Sequence, residues 1–138
     1  MTCNFFIDKC KVEPDISIWL KEAKEADSEN SNGIYLFSNG VVRSSSKRKV
    51  RAGEQGLEPV KSVKVECNYD TLETALRQTS QMPGVNYLRV WVNEGELELG
   101  ESIMLTLVGA DIRDRCVDAL TFFVDKLKGD CLTETEIF

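Results

Sequence analysis

The chain has no histidine. That absence removes histidine-based triads, the commonest general base and the usual nitrogen ligands of zinc and iron. The five cysteines, Cys3, Cys10, Cys67, Cys116 and Cys131, are odd in number and contain no C-x-x-C pair. A disulfide framework or a structural zinc site is therefore not expected. No apolar run approaches the length that crosses a bilayer, and the opening MTCNFFIDKCK has no basic region before a long apolar segment. Neither a membrane span nor a signal peptide is expected, and the cytoplasm is the expected location. Positive charge is also short: 17 Lys and Arg face 23 Asp and Glu, a net charge of −6. A general nucleic-acid binder needs a basic face, so nucleic acid is not an expected partner.

What is present suits one domain over residues 1–138. The 138 residues are 42% hydrophobic and 29% charged, enough to bury a core without covalent staples. The chain is organised around residues 95–128. Ile103 to Val108 is an apolar run ending at Gly109, the pattern of a strand buried on both faces. Asp111 is the predicted N-cap of a long helix, with Asp114 complementing its positive end. Ile112, Cys116, Leu120, Phe123 and Leu127 form its predicted apolar stripe, widened by Val117 and Val124. Lys126 and Lys128 close the last turn, where cations suit the helix dipole, and Gly129 is the expected stop.

Elsewhere the pattern alternates strand and helix. Residues 4–12 read as a strand, and Pro14 with Asp15 as N-cap opens a helix with Ile16, Trp19, Leu20 and Ala23 inward. Residues 33–38 read as a strand ended by an Asn39-Gly40 turn. Residues 41–57 hold Arg43, Arg48, Lys49 and Arg51 without periodicity, the composition of a mobile loop. Residues 60–67 alternate like a half-buried strand. Asp70 with Glu73 resembles a capping box opening a helix to about Gln81, ended by Pro83-Gly84. Residues 85–92 form a strand that a tight turn at 93–95 joins to residues 96–99, and the tail from Cys131 reads as an edge strand. This order predicts an α+β fold with a mostly antiparallel sheet and three helices.

Four short patterns stand in order along the second half of the chain. They are Gly95-x-Leu97-x-x-Gly100-Glu101, the apolar strand, Asp111-Ile112-Arg113, and Asp125-Lys126-Leu127-Lys128. Gly33 to Arg43 (GIYLFSNGVVR) and VECNYDTLETAL add two more in the first half. Together they resemble the large, catalytic subunit of molybdopterin synthase, over nearly the whole chain. The resemblance implies an α/β-hammerhead fold and a homodimer that docks two small ubiquitin-like sulfur-carrier subunits as a heterotetramer. It implies transfer of sulfur from a thiocarboxylated carrier C-terminus to cyclic pyranopterin monophosphate, with no resident cofactor or metal.

The resemblance also assigns residues. Arg43 and Arg113 are the expected phosphate-binding groups, with Arg48, Lys49 and Arg51 as further candidates, because a guanidinium makes bidentate, charge-assisted bonds to oxyanions. Lys128 is the expected sulfur-transfer lysine, which a desolvated amine suits. Arg113 sits against the dipole at the helix start, where a structural role is uncomfortable. Three family features are missing. The family's histidine is Ile112, its His-Arg before the glycine turn is Val92-Asn93, and its second lysine has no counterpart in the tail 132–138. Two readings follow: a divergent synthase large subunit, or a non-catalytic relative that binds a ubiquitin-like carrier or an anionic ligand.

Overall fold

The structure, a computed structural model, describes residues 3–46 and 59–138. Arg48, Lys49, Arg51 and most of the expected loop lie outside the described residues. In chain order the elements are β1 (Asn4–Asp8), α1 (Ile16–Ala26), β2 (Ile34–Val41), β3 (Ser62–Cys67), α2 (Tyr69–Ser80), β4 (Val85–Val92), β5 (Gly95–Glu98), β6 (Ser102–Ala110), α3 (Arg113–Lys126), a π turn (Leu127–Cys131) and β7 (Leu132–Ile137). Four strands form one sheet in the order β1-β4-β6-β2, with only β1 and β4 parallel; β5-β3-β7 form a second, antiparallel sheet. This is the α+β arrangement expected, with three α-helices among the described residues.

The apolar run at β6 is central, and all nine of its residues are buried. Leu105 and Leu107 meet Trp19 and Ala23 of α1 on one face, while Met104 and Val108 meet α2, α3 and the second sheet on the other. Arg89 of β4 ties α1 to the sheet edge. Its Nε and Nη2 each donate to Asp8 at 2.9 Å, Nη1 donates to Glu22, and the guanidinium lies 4.9 Å from the Trp19 ring centre. Asp8 also accepts from the Trp19 indole at 3.2 Å. These contacts end β1 at Asp8, short of the expected Val12, and Cys10 turns its carbonyl to the Trp91 indole at 2.8 Å.

Asp15 caps α1 as predicted, accepting from the Ser17 amide at 2.8 Å. The cap of α2 is Asn68, not Asp70: its Oδ1 accepts from the Thr71 amide at 3.1 Å, while Glu73 pairs with Arg77 instead of reaching back. Asn39-Gly40 is not a turn. The Asn39 amide donates to the Met104 carbonyl and the Ser102 hydroxyl, both at 3.1 Å, so pairing with β6 carries β2 on to Val41. Nor do β4 and β5 form a hairpin. Asn93 donates from its backbone to Ile103 O and from its side chain to Ser102 O at the start of β6, and the next residues leave for the second sheet, where β5 pairs with β3.

Candidate functional site

The motif Gly95-x-Leu97-x-x-Gly100-Glu101 has a structural task that ends at Arg43. Gly95 and Gly100 adopt φ of 118° and 85°, which a Cβ disfavours, and Leu97 between them is buried. The turn they make is locked by Glu101, whose carboxylate accepts from the Glu98 amide at 2.7 Å. Its backbone then grips Val42 from both sides: Gly100 N donates to Val42 O at 2.8 Å, and Val42 N to Glu101 O at 3.0 Å. Arg43 leaves the sheet from that clamp and is exposed. Beside it a cleft of about 20 Å³ is lined in part by Val63, Ile103, Glu134 and Glu136. A volume near 20 Å³ holds about one water, so nothing the size of a pterin enters it within one chain.

Lys128 reaches the same end of β2 by another route. Gly129 does not stop α3: its φ is not positive, and the helix widens into the π turn. Leu127 and Cys131 are both buried, and the Leu132 amide closes the wide turn on Leu127 O. Lys128 projects from this turn over Gly40, its Nζ 3.7 Å from where a Gly40 Cβ would lie. Gly40 N donates to Met104 Sδ at 3.4 Å, which keeps that backbone close to β6. Thus Lys128 and Arg43 share one end of the molecule, three residues apart along the β2 path. Lys128 is exposed here, not desolvated as the sulfur-transfer role would want.

Arg113 begins α3 at the opposite end of the rod. Asp111 is not the N-cap; Ile112 is, without a side-chain cap bond. Asp111 is instead a knot: its amide donates to Gly84 O at 3.0 Å, Oδ1 accepts from the Ile112 amide, and Oδ2 takes Arg115 Nη1, the last two at 2.7 Å. The apolar stripe differs too. Cys116, Ala119, Phe123 and Leu127 are buried, with Leu120 and Val124 packed against them, while Ile112 and Val117 are 53% and 45% exposed. The α3 face that the sheet and α2 cover is rotated toward Ala119.

Charge pairing separates the expected cations from their neighbours. Arg115 pairs with Asp111 and Lys126 with Asp130, each one turn away. Arg43, Arg113 and Lys128 make no hydrogen bond or ion pair among the described residues. The sequence reading missed Gly40 as the floor under Lys128, and Glu134 and Glu136 beside Arg43. A period of two at 134 and 136 places both carboxylates on one face of a strand, a signal that was available.

The chain is a two-sheet, hammerhead-type domain that presents exposed cations at both ends of one helical rod. The family described as MoaE protein matches residues 15–130, and the chain belongs to that family. Among solved structures, a molybdopterin biosynthesis MoaE protein from Burkholderia ambifaria MC40-6 is 15% identical, covers 97% of this chain and 89% of its own, and superposes with a TM-score of 0.67. Molybdopterin synthase from Staphylococcus aureus is 18% identical, with 86% and 83% covered and a TM-score of 0.63. A complex of subunits 1 and 2 of molybdopterin-converting factor from Helicobacter pylori 26695 is 15% identical, with 96% and 83% covered and a TM-score of 0.64. No curated protein sequence matches the chain.

Proposed function

We propose that this chain works as a homodimer that moves sulfur from a thiocarboxylated, ubiquitin-like carrier to cyclic pyranopterin monophosphate, at sites each built from two copies. In the net reaction the sulfur leaves with the pterin, and water supplies the oxygen that turns the carrier's C-terminus into a carboxylate. Arg43 of one copy and Arg113 of the other bind the phosphate, and Lys128 serves the acyl carbon as proton donor, acceptor or transient acyl acceptor.

The observation that carries this reading is the position of the unpaired cations. Arg113 and Lys128 are fifteen residues apart on one rod, about 22 Å at the helical rise, so one pterin cannot meet both from the same chain. Between them, Val117, Leu120 and Val124 continue the same face at helical spacing, and none of the three is buried. A two-fold axis near Leu120 packs two such faces antiparallel and brings Arg113 of each copy beside Lys128 of the other. It also covers Val117 and desolvates Lys128.

A non-catalytic, carrier-binding role is the second reading, favoured by Glu134 and Glu136 beside Arg43 where the family's tail supplies a lysine. Mixing Arg113→Ala and Lys128→Ala chains separates the two. In the catalytic reading each variant alone is inactive, and the mixed dimer keeps one intact site and recovers up to half of the parent rate per mixed dimer. Turnover is followed as pterin conversion, with subunit exchange verified by mass. Exchange without recovered turnover sinks the shared site, and a parent chain without turnover leaves carrier binding.

A further inference from the structure

The geometry points to a second ligand site: the cavity between the end of β1, the start of α2 and the β4–β5 crossing binds a small organic anion through Lys9 and Lys11. The cavity measures about 570 Å³, within the range that holds a small molecule. Its walls are held by bonds that do not depend on a ligand. The Cys10 carbonyl is fixed by the Trp91 indole at 2.8 Å. Glu94 accepts from the Tyr69 hydroxyl at 3.0 Å and the Cys67 amide at 3.1 Å, so both oxygens of the one acidic lining residue are engaged. Lys9 Nζ stands 4.5 Å from the centre of the Tyr69 ring, a contact that orients the ammonium and leaves its charge unneutralised.

Charge decides the ligand class. Among the described residues Lys21, Lys64, Arg77, Arg89, Arg115 and Lys126 each find a carboxylate. Lys9 and Lys11 form no ion pair among the described residues, yet both face this one cavity. Val92 and the Tyr69 ring supply apolar floor and wall, and the Asn93 side chain is anchored to Ser102 O at 3.0 Å. The arrangement suits an organic body bearing a carboxylate or phosphate, with the anionic group between two ammonium ions. Register places the site away from Lys128. Val92 pairs with Met104 and Met104 with Gly40, so three strand spacings, about 14 Å, separate the β1 end from β2.

Cys10 lies in the cavity wall and is exposed, so it reports the local field without being part of the claim. The full-length chain is alkylated at about pH 8 with iodoacetate, an anion, and with neutral iodoacetamide, and the rate at Cys10 is read by peptide mass. The ratio of the two rates cancels the thiolate fraction. It is expected to be about tenfold higher in the parent than in the Lys9→Gln/Lys11→Gln chain, the size of two nearby unit charges in a watery site. Inorganic phosphate and succinate, against chloride at equal ionic strength, are expected to slow iodoacetate at Cys10 about threefold or more in the parent only. Protection by one probe alone names the phosphate or the carboxylate as the preferred group. An equal ratio in parent and variant, or slowing by chloride that matches both probes, overturns the site.

Discussion

Cys3 and Cys67 border the larger core, and both thiols are pushed up to about 12, Cys3 by burial and Cys67 by burial first and the nearby Glu94 carboxylate second. Tyr69 is also raised to about 12, first by burial and then by the hydrogen bond it gives to Glu94. A group whose acid form is favoured in the folded chain contributes stability that is complete below its unfolded pKa and lost as pH rises to the folded value. The unfolded thiols ionise near 9, so in that range the folded chain holds more protons than the unfolded one. Stability is therefore expected to be flat with respect to these groups at pH 8 and to fall between about pH 9 and 12. Urea midpoints at stepped pH check this, and Cys3→Ser/Cys67→Ser should flatten the decline. A decline of equal slope in that variant would assign the effect elsewhere.

At the scale of elements, α3 is aimed by its two ends. The first end depends on glycines. Gly84 has a φ of 77°, and a Cβ there would meet Asp111 Oδ1 at 2.1 Å; a Cβ on Gly33 would meet the Asp111 carbonyl at 2.3 Å. Both approaches let the Asp111 knot sit against two turns and set the direction in which Arg113 leaves. Gly84→Ala combines a strained backbone with a clash against a bonded carboxylate, at a cost of about 2 kcal/mol or more. The expected outcome is a lower urea midpoint with faster amide exchange at residues 112–116 and little change near Lys128. Uniform loosening of the whole helix would contradict it. The other end depends on the π turn, which brings Leu127 and Cys131 into the core together and swings Lys128 toward β2.

For the whole molecule, the decisive question is what covers the α3 face that runs from Arg113 to Lys128. The edge strand β2 lies beside it, with Val41 at its end 45% exposed. A stable pair of chains needs about 800 Å² buried on each partner, which a helix face and an adjoining strand edge together can supply. The chain is expected to sediment as a dimer at micromolar concentration, and Val117→Asp to shift it to monomer while the circular dichroism stays unchanged. A parent chain of monomer mass would count against both the dimer and the shared site.

Sequence alone determined the elements whose signals are local. The β6 run, the Asp15 cap, the stop at Pro83-Gly84 and the order of motifs all follow from neighbours within a few residues, where apolar periodicity and side-chain caps act. The candidates Arg43, Arg113 and Lys128 came from the family resemblance of the motifs that hold them. Tertiary structure decided the rest, because competition for partners is not local. Asn39-Gly40 has a turn's composition, but Met104 and Ser102 offer the Asn39 amide better acceptors. Asp111 has a cap's composition, but Arg115 and the Ile112 amide take its oxygens. Gly129 has a stop's composition, but burying Cys131 together with Leu127 carries the helix past it. The crossing from β4 to β5 between two sheets, and the meeting of Lys128 with Gly40 across 88 residues of chain, depend on how strands pair over long separations. No local pattern encodes such pairing, because its free energy comes from the core that forms when the distant segments meet.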